Sequence, residues 1–98
     1  MSATDARAIQ LLKDIYTFSA RLVQRLEKET LESFTEDRGL DAQCVAAWHL
    51  VVIGEAASAL LKNHSEFCKQ HPELPLRQAK GMRNFLVHDY FDVDWKVV

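Results

Sequence analysis

The stretch Asp41–Asn63, DAQCVAAWHLVVIGEAASALLKN, decides the fold. Val45, Trp48, Val52, Ala56 and Leu60 recur every three or four residues, the repeat that places side chains on one face of a helix. Leu50, Val51, Ile53, Ala57 and Leu61 spread round the other sides. A helix that is apolar on most sides is either central to its domain or shared with a partner chain, and so short a protein favours considering both. Asp41 is suited to cap its start. Its longest apolar stretch, Val45 to Ile53, is interrupted by His49 and is too short to span a membrane.

Upstream, Leu11, Ile15, Phe18, Leu22 and Leu26 recur at helical spacing, with Leu12, Tyr16 and Val23 beside them. Arg7, Asp14, Arg21 and Arg25 fall opposite, so residues 5–28 are expected to form an amphipathic helix capped by Thr4 or Asp5. Residues 30–37 suit a short helix packed through Leu31 and Phe34 and stopped by Gly39. Downstream, residues 65–71 read as one or two turns ended by Pro72, and HPELP is the sharpest break in the chain. A last substantial helix is expected from Leu76 to His88, and DVDWKVV reads as a helix that begins at Asp92 or Asp94 and stops at once. No repeat, low-complexity tract or strand pattern is visible. The expected fold is an all-α bundle of four to five helices forming one domain over residues 1–98.

With 98 residues and a formal charge of −2, the chain has no strong global field to draw in nucleic acid or anionic lipid, so any RNA-binding surface must be a local patch. Cys44 and Cys68 lack the spacing of a disulfide scaffold and read as reduced thiols. The opening MSATDARAIQ has no basic region followed by an apolar run. These features place the protein in the cytoplasm, without a membrane partner.

The chemistry concentrates in GMRNFLVHDY, residues 81–90. Lys80, Asn84 and His88 are spaced four and four, Arg77 falls between them in projection, and Ala79, Met82 and Leu86 form an opposing apolar stripe. One face packs, and the other presents two cations, an amide and an imidazole. Such groups suit a phosphodiester: histidine moves protons near neutrality, arginine binds phosphate oxygens, and Arg77 and Lys80 add positive charge. Tyr90 offers a phenol two residues beyond the histidine. Arg83 stands roughly 140° round an ideal helix from His88, so the two converge only through the long arginine side chain, an irregular helix end or a second subunit. From spacing alone, a solvated cationic face is the plainer reading.

The segment nonetheless resembles a known family. Arg83, four residues, His88, one residue and Tyr90, with the polar Asn84 after the arginine, is similar to the signature of HepT-like toxins in the HEPN superfamily. IGEAA (Ile53 to Ala57), LPL before the last helix and GMRN leading into it fit as well, and the likeness covers nearly the whole chain. It implies an all-helical homodimer whose motif helices meet at a cleft, and metal-independent RNA cleavage with Arg83 and His88 as the catalytic pair. It also implies a type VII toxin–antitoxin module in which an MntA-type nucleotidyltransferase antitoxin silences the toxin by transferring AMP to Tyr90. No cofactor is implied. Relative to that pattern the chain stops early, at Trp95-Lys96-Val97-Val98, so a short final helix is expected.

Other residues carry weaker signals. Gly54 sits mid-helix, where glycine costs about 1 kcal/mol relative to alanine; either another helix approaches closely there, a dimer partner's included, or the cost is tolerated. Glu55 fits the family pattern as a group that lines the cleft and orients a catalytic residue, against the plainer reading of an exposed carboxylate. His64, Cys68 and His71 align at spacings of four and three, but no fourth ligand is evident and Pro72 ends the helix, so no metal site is assigned. His49 reads as a satisfied core histidine, and Trp48 and Trp95 as packing residues. Two rivals to the ribonuclease remain: a non-catalytic RNA- or nucleotide-binding module, and a helical dimer whose task is to bind its antitoxin.

Overall fold

A computed structural model describes residues 3–35 and 40–89, and all its regular structure is helical. Five helices follow in order: α1 (Ala3–Leu26), α2 (Leu31–Thr35), α3 (Leu40–Asn63), α4 (Ser65–Gln70) and α5 (Leu76–Asp89). No strand occurs among the described residues. The short helix expected from Asp92 or Asp94, together with Tyr90 and Trp95, lies outside the described residues.

The all-round apolar character of α3 finds its reason in its position. α1 packs on one side and α5 on another, and α3 separates these two helices from each other. Ala56, Ala57 and Leu60 of α3 are buried against Ala8 and Leu11 of α1 and Leu76 of α5, with Leu12, Ile15, Phe67 and Ala79 filling in around them. Alanines at these positions let the helix axes approach closely, and Leu60 fills the space they leave.

By length and composition α3 is able to cross a membrane over Asp41–Asn63, a point on which the broken apolar run from Val45 to Ile53 was misleading, since His49 interrupts the run but not the helix. Here α3 is the core helix between α1 and α5. No element among the described residues covers its outward side: Trp48, expected to be a packing residue, is 63% exposed.

Several element ends differ from expectation for local reasons. α3 begins at Leu40, so Asp41 lies in the first turn instead of capping it, where its charge still complements the helix dipole. Tyr16 and Val23 flank the packed stripe of α1 in sequence but are 76% and 71% exposed, because α3 covers only one side of α1. In α2, Thr30 and Ser33 cap each other: the Ser33 N–H donates to Thr30 Oγ1 at 3.0 Å, and the Thr30 N–H donates to Ser33 Oγ at 2.9 Å. Gln43 then ties α2 to α3, its buried Nε2 donating to the Phe34 carbonyl at 2.6 Å.

His49 is satisfied as a structural residue. Its Nδ1 lies 2.7 Å from the Val45 carbonyl oxygen, which can only accept, so this nitrogen carries the proton. Its ring stands 5.4 Å from that of Phe18, joining α3 to α1. Neither Cys44 nor Cys68 forms a disulfide.

Candidate nucleic-acid site on the last helix

α5 starts straight after the HPELP break, and its apolar residues turn toward α3, leaving Leu76 and Leu86 buried and Ala79 and Met82 half-buried. The remaining residues are thereby fixed by helix geometry. Arg77, Lys80 and His88 are exposed, Asn84 is half-buried, and all four share the side of α5 turned from the seam. The expected separation into a packing face and a polar face is what α5 displays.

Arg83 is placed differently. Its Cβ and Cγ lie against Gly54, where α3 and α5 come closest. A Cβ added to Gly54 would collide with the Arg83 Cβ and stand 2.8 Å from the Ala79 carbonyl oxygen. The close approach weighed for Gly54 is therefore real, and it is made by α5 of the same chain. The Arg83 side chain runs along this seam, 21% exposed, and its Nη1 reaches Glu55 Oε1 at 3.4 Å. Glu55, 61% exposed, thus partners a named site residue while keeping much of its carboxylate in water.

Two consequences follow for chemistry. Arg83 Nε is buried and has no hydrogen-bond partner among the described residues, so the guanidinium cannot use its Nε side to grip a phosphate and has only its end-on pair, of which Nη1 is shared with Glu55. Moreover, no hydrogen bond or ion pair links Arg83 to His88 among the described residues. Arg83 sits in the seam while His88 is exposed on the last turn, the separation of roughly 140° expected of a regular helix. One chain thus brings Arg83 and Glu55 together, and Asn84 and His88 together, but not the two pairs. Tyr90 lies outside the described residues.

Three further features of this region were not expected from the sequence. Among the described residues Gly81 has nothing within 4 Å of where its Cβ would be, so their packing gives no reason for a glycine there. Phe85 is 42% exposed. A cleft between α4 and α5 is lined by Lys69, His71 and Arg77 among others. Spacing alone could have flagged the first two, since Gly81 lies four residues from Phe85 and seven from His88. The cleft depends on how the HPELP break folds back, which no periodicity encodes.

His64, Cys68 and His71 do not converge: among the described residues no three His, Cys, Asp or Glu side chains are placed to hold a metal ion. His71 instead contacts Phe67, with ring centroids 4.5 Å apart, and places Nδ1 3.1 Å from Glu73 Oε1. Glu73 is held below its ordinary carboxylate pKa, first by a backbone hydrogen bond and then by His71.

Fold and site together define an all-helical protein whose helix α5 carries a cationic outer face beside an arginine seated in the helix seam. The chain belongs to the Ribonuclease HepT-like family, whose model matches residues 7–98. It is 35% identical over 92 residues to the "Probable ribonuclease HepT" of Thermococcus cleftensis, a match covering 88% of this chain and 81% of that protein. It is 34% identical over 77 residues to a protein of Caldanaerobacter subterraneus subsp. tengcongensis whose name assigns it provisionally as an RNase. That match covers 79% of this chain and 64% of the relative's length, just under two thirds. No solved structure matches the chain.

Proposed function

We propose that this chain is a ribonuclease that cuts RNA phosphodiesters without a metal ion, acting as the toxin of a type VII toxin–antitoxin module in the cytoplasm. The observation that carries the reading is the outer face of α5, where Asn84 and the exposed Arg77, Lys80 and His88 line up in a member of a ribonuclease family. In the reaction, the ribose 2′-hydroxyl attacks the adjacent phosphorus and the bond to the 5′-oxygen breaks. His88 moves the proton between these two oxygens, Arg83 stabilises the charge that builds on the phosphate, and Asn84 orients the imidazole or the ribose. The products are a cyclic phosphate and a free 5′-hydroxyl.

The separation of Arg83 from His88 gives a dimer its purpose. A second copy set against the first brings one chain's arginine toward the other's histidine, and the uncovered side of α3 around Trp48 offers apolar surface for that contact. Glu55 and Gly54 act as positioning residues, fixing where the Arg83 guanidinium emerges from the seam. Regulation would come from a nucleotidyltransferase antitoxin of the MntA type that transfers AMP to Tyr90. The added phosphate places bulk and negative charge beside a face suited to phosphate, and so repels RNA.

The same separation also favours a second reading, in which the face binds RNA or a nucleotide, or presents the chain to its antitoxin, without cutting. One experiment divides the two. Protein shown by intact mass to carry no AMP is incubated with mixed RNA in EDTA, beside His88→Ala. Cutting by the parent and none by the variant is the expected result. Intact RNA in both lanes sinks the ribonuclease and leaves the binding role.

A further inference from the structure

The outer face of α5 carries features that cleavage at His88 does not require. From Leu76 to His88 the helix holds no carboxylate, although the whole chain has 14 Asp and Glu against 12 Lys and Arg. Arg77, Gly81, Asn84 and His88 fall within about 60° of one another round the axis, with Lys80 along one edge and Phe85 along the other. Glycine weakens a helix interior, yet among the described residues Gly81 makes no packing contact that would offset this, and its absent side chain leaves a flat place in the middle of the track. Phe85 keeps an exposed aromatic ring beside that place.

At its start the face opens into the α4–α5 cleft, about 420 Å³ in volume, lined by Ser65, Lys69, His71, Arg77 and Gln78 among others. Lys69 and His71 have exposed carboxylate partners, Glu66 at 3.6 Å and Glu73 at 3.1 Å, of the kind a polyanion displaces readily. Arg77 forms no ion pair among the described residues, and so is the cation in this cleft with its charge uncommitted.

We infer that a single strand of RNA lies along α5, with the phosphate to be cut at His88 and a second phosphate held in the α4–α5 cleft by Arg77, about 16 Å away along the helix. The strand's backbone crosses at Gly81, where no side chain keeps it off the helix, and an unpaired base stacks on Phe85. An exposed aromatic ring beside a line of positive charge suits a single strand, whose bases are free to splay, better than a duplex. The position of the cut rests on the ribonuclease reading; the binding track does not.

The test uses 2′-O-methyl oligonucleotides, which lack the attacking hydroxyl, and follows their binding by fluorescence anisotropy. Arg77→Ala is expected to bind a single strand long enough to span α5 about tenfold more weakly than the parent. Its salt slope should fall by about 0.7, the value for one lost phosphate contact on a single strand. Binding of a dinucleotide, too short to reach the cleft, should not change. Equal affinity of parent and variant for the long strand, or a duplex bound as tightly as the strand, overturns the track. So does a variant that alters self-association in sedimentation while leaving RNA affinity unchanged. Cutting of ordinary RNA, measured alongside, separates the two claims. Cutting without dependence on Arg77 keeps the ribonuclease and removes the track, whereas Arg77-dependent binding without cutting does the reverse.

Discussion

Gly54 and Gly81 both lie inside continuous helices, and they do so for opposite reasons. Gly54 lies in the seam between α3 and α5, where the Arg83 side chain and the Ala79 carbonyl occupy the space a Cβ would need. Gly81 lies on the outer face of α5, where the same construction meets nothing. The first glycine is explained by what the chain does to itself. The second is left for something the chain binds. A glycine in a helix is thus not one kind of signal, and only the third dimension tells a packing requirement from a landing place.

The contrast can be broken by putting a methyl group at each position. Gly54→Ala has the largest expected effect, because both helices must part to admit it. Overpacking of that kind costs about 1–3 kcal/mol, against about 1 kcal/mol returned by alanine's better helix propensity. A net loss of stability in urea unfolding is expected, and a variant as stable as the parent would show the seam to be looser than described. Gly81→Ala should do the reverse, gaining up to about 1 kcal/mol because nothing obstructs the new methyl. The same variant should weaken the binding of single-stranded RNA; a gain in stability with RNA affinity untouched would leave Gly81 without a purpose. Glu55→Gln sharpens the seam side and has the smallest expected effect on folding, below about 0.5 kcal/mol, since a half-exposed ion pair contributes little. Its RNA cleavage should nevertheless fall, and only while Arg83 is present: in an Arg83→Lys background the further loss should vanish. Additive losses would mean that Glu55 does not act through Arg83.

The helices were largely legible in the sequence because their causes are local. The period of α1, the apolar circumference of α3 and the HPELP break each announce themselves within a dozen residues, and α5 starts at Leu76 as expected. What was not legible depends on which neighbours exist. Tyr16, Val23 and Trp48 have the composition of core residues, yet the described part of the fold supplies no element to cover them. The polar face of α5 followed from spacing, since Arg77, Lys80, Asn84 and His88 are fixed relative to one another by the helix itself. The seat of Arg83 did not, because it depends on a glycine nearly thirty residues earlier and on the antiparallel pairing of two helices. The arginine's Nε, buried and unpartnered, has no counterpart in any sequence pattern.

Because α3 stands between α1 and α5, the molecule is wired like a hub with two spokes. A change in α1 reaches the outer face of α5 chiefly through α3: substitutions on the outward faces of the two flanking helices should add, while those packed around the shared Leu60 should couple. Heredity can therefore retune the α5 track for a different ligand while α1 goes on anchoring the hub. The constraint falls on the buried positions of α3, Ala56, Ala57 and Leu60, where a substitution disturbs the packing of both neighbours.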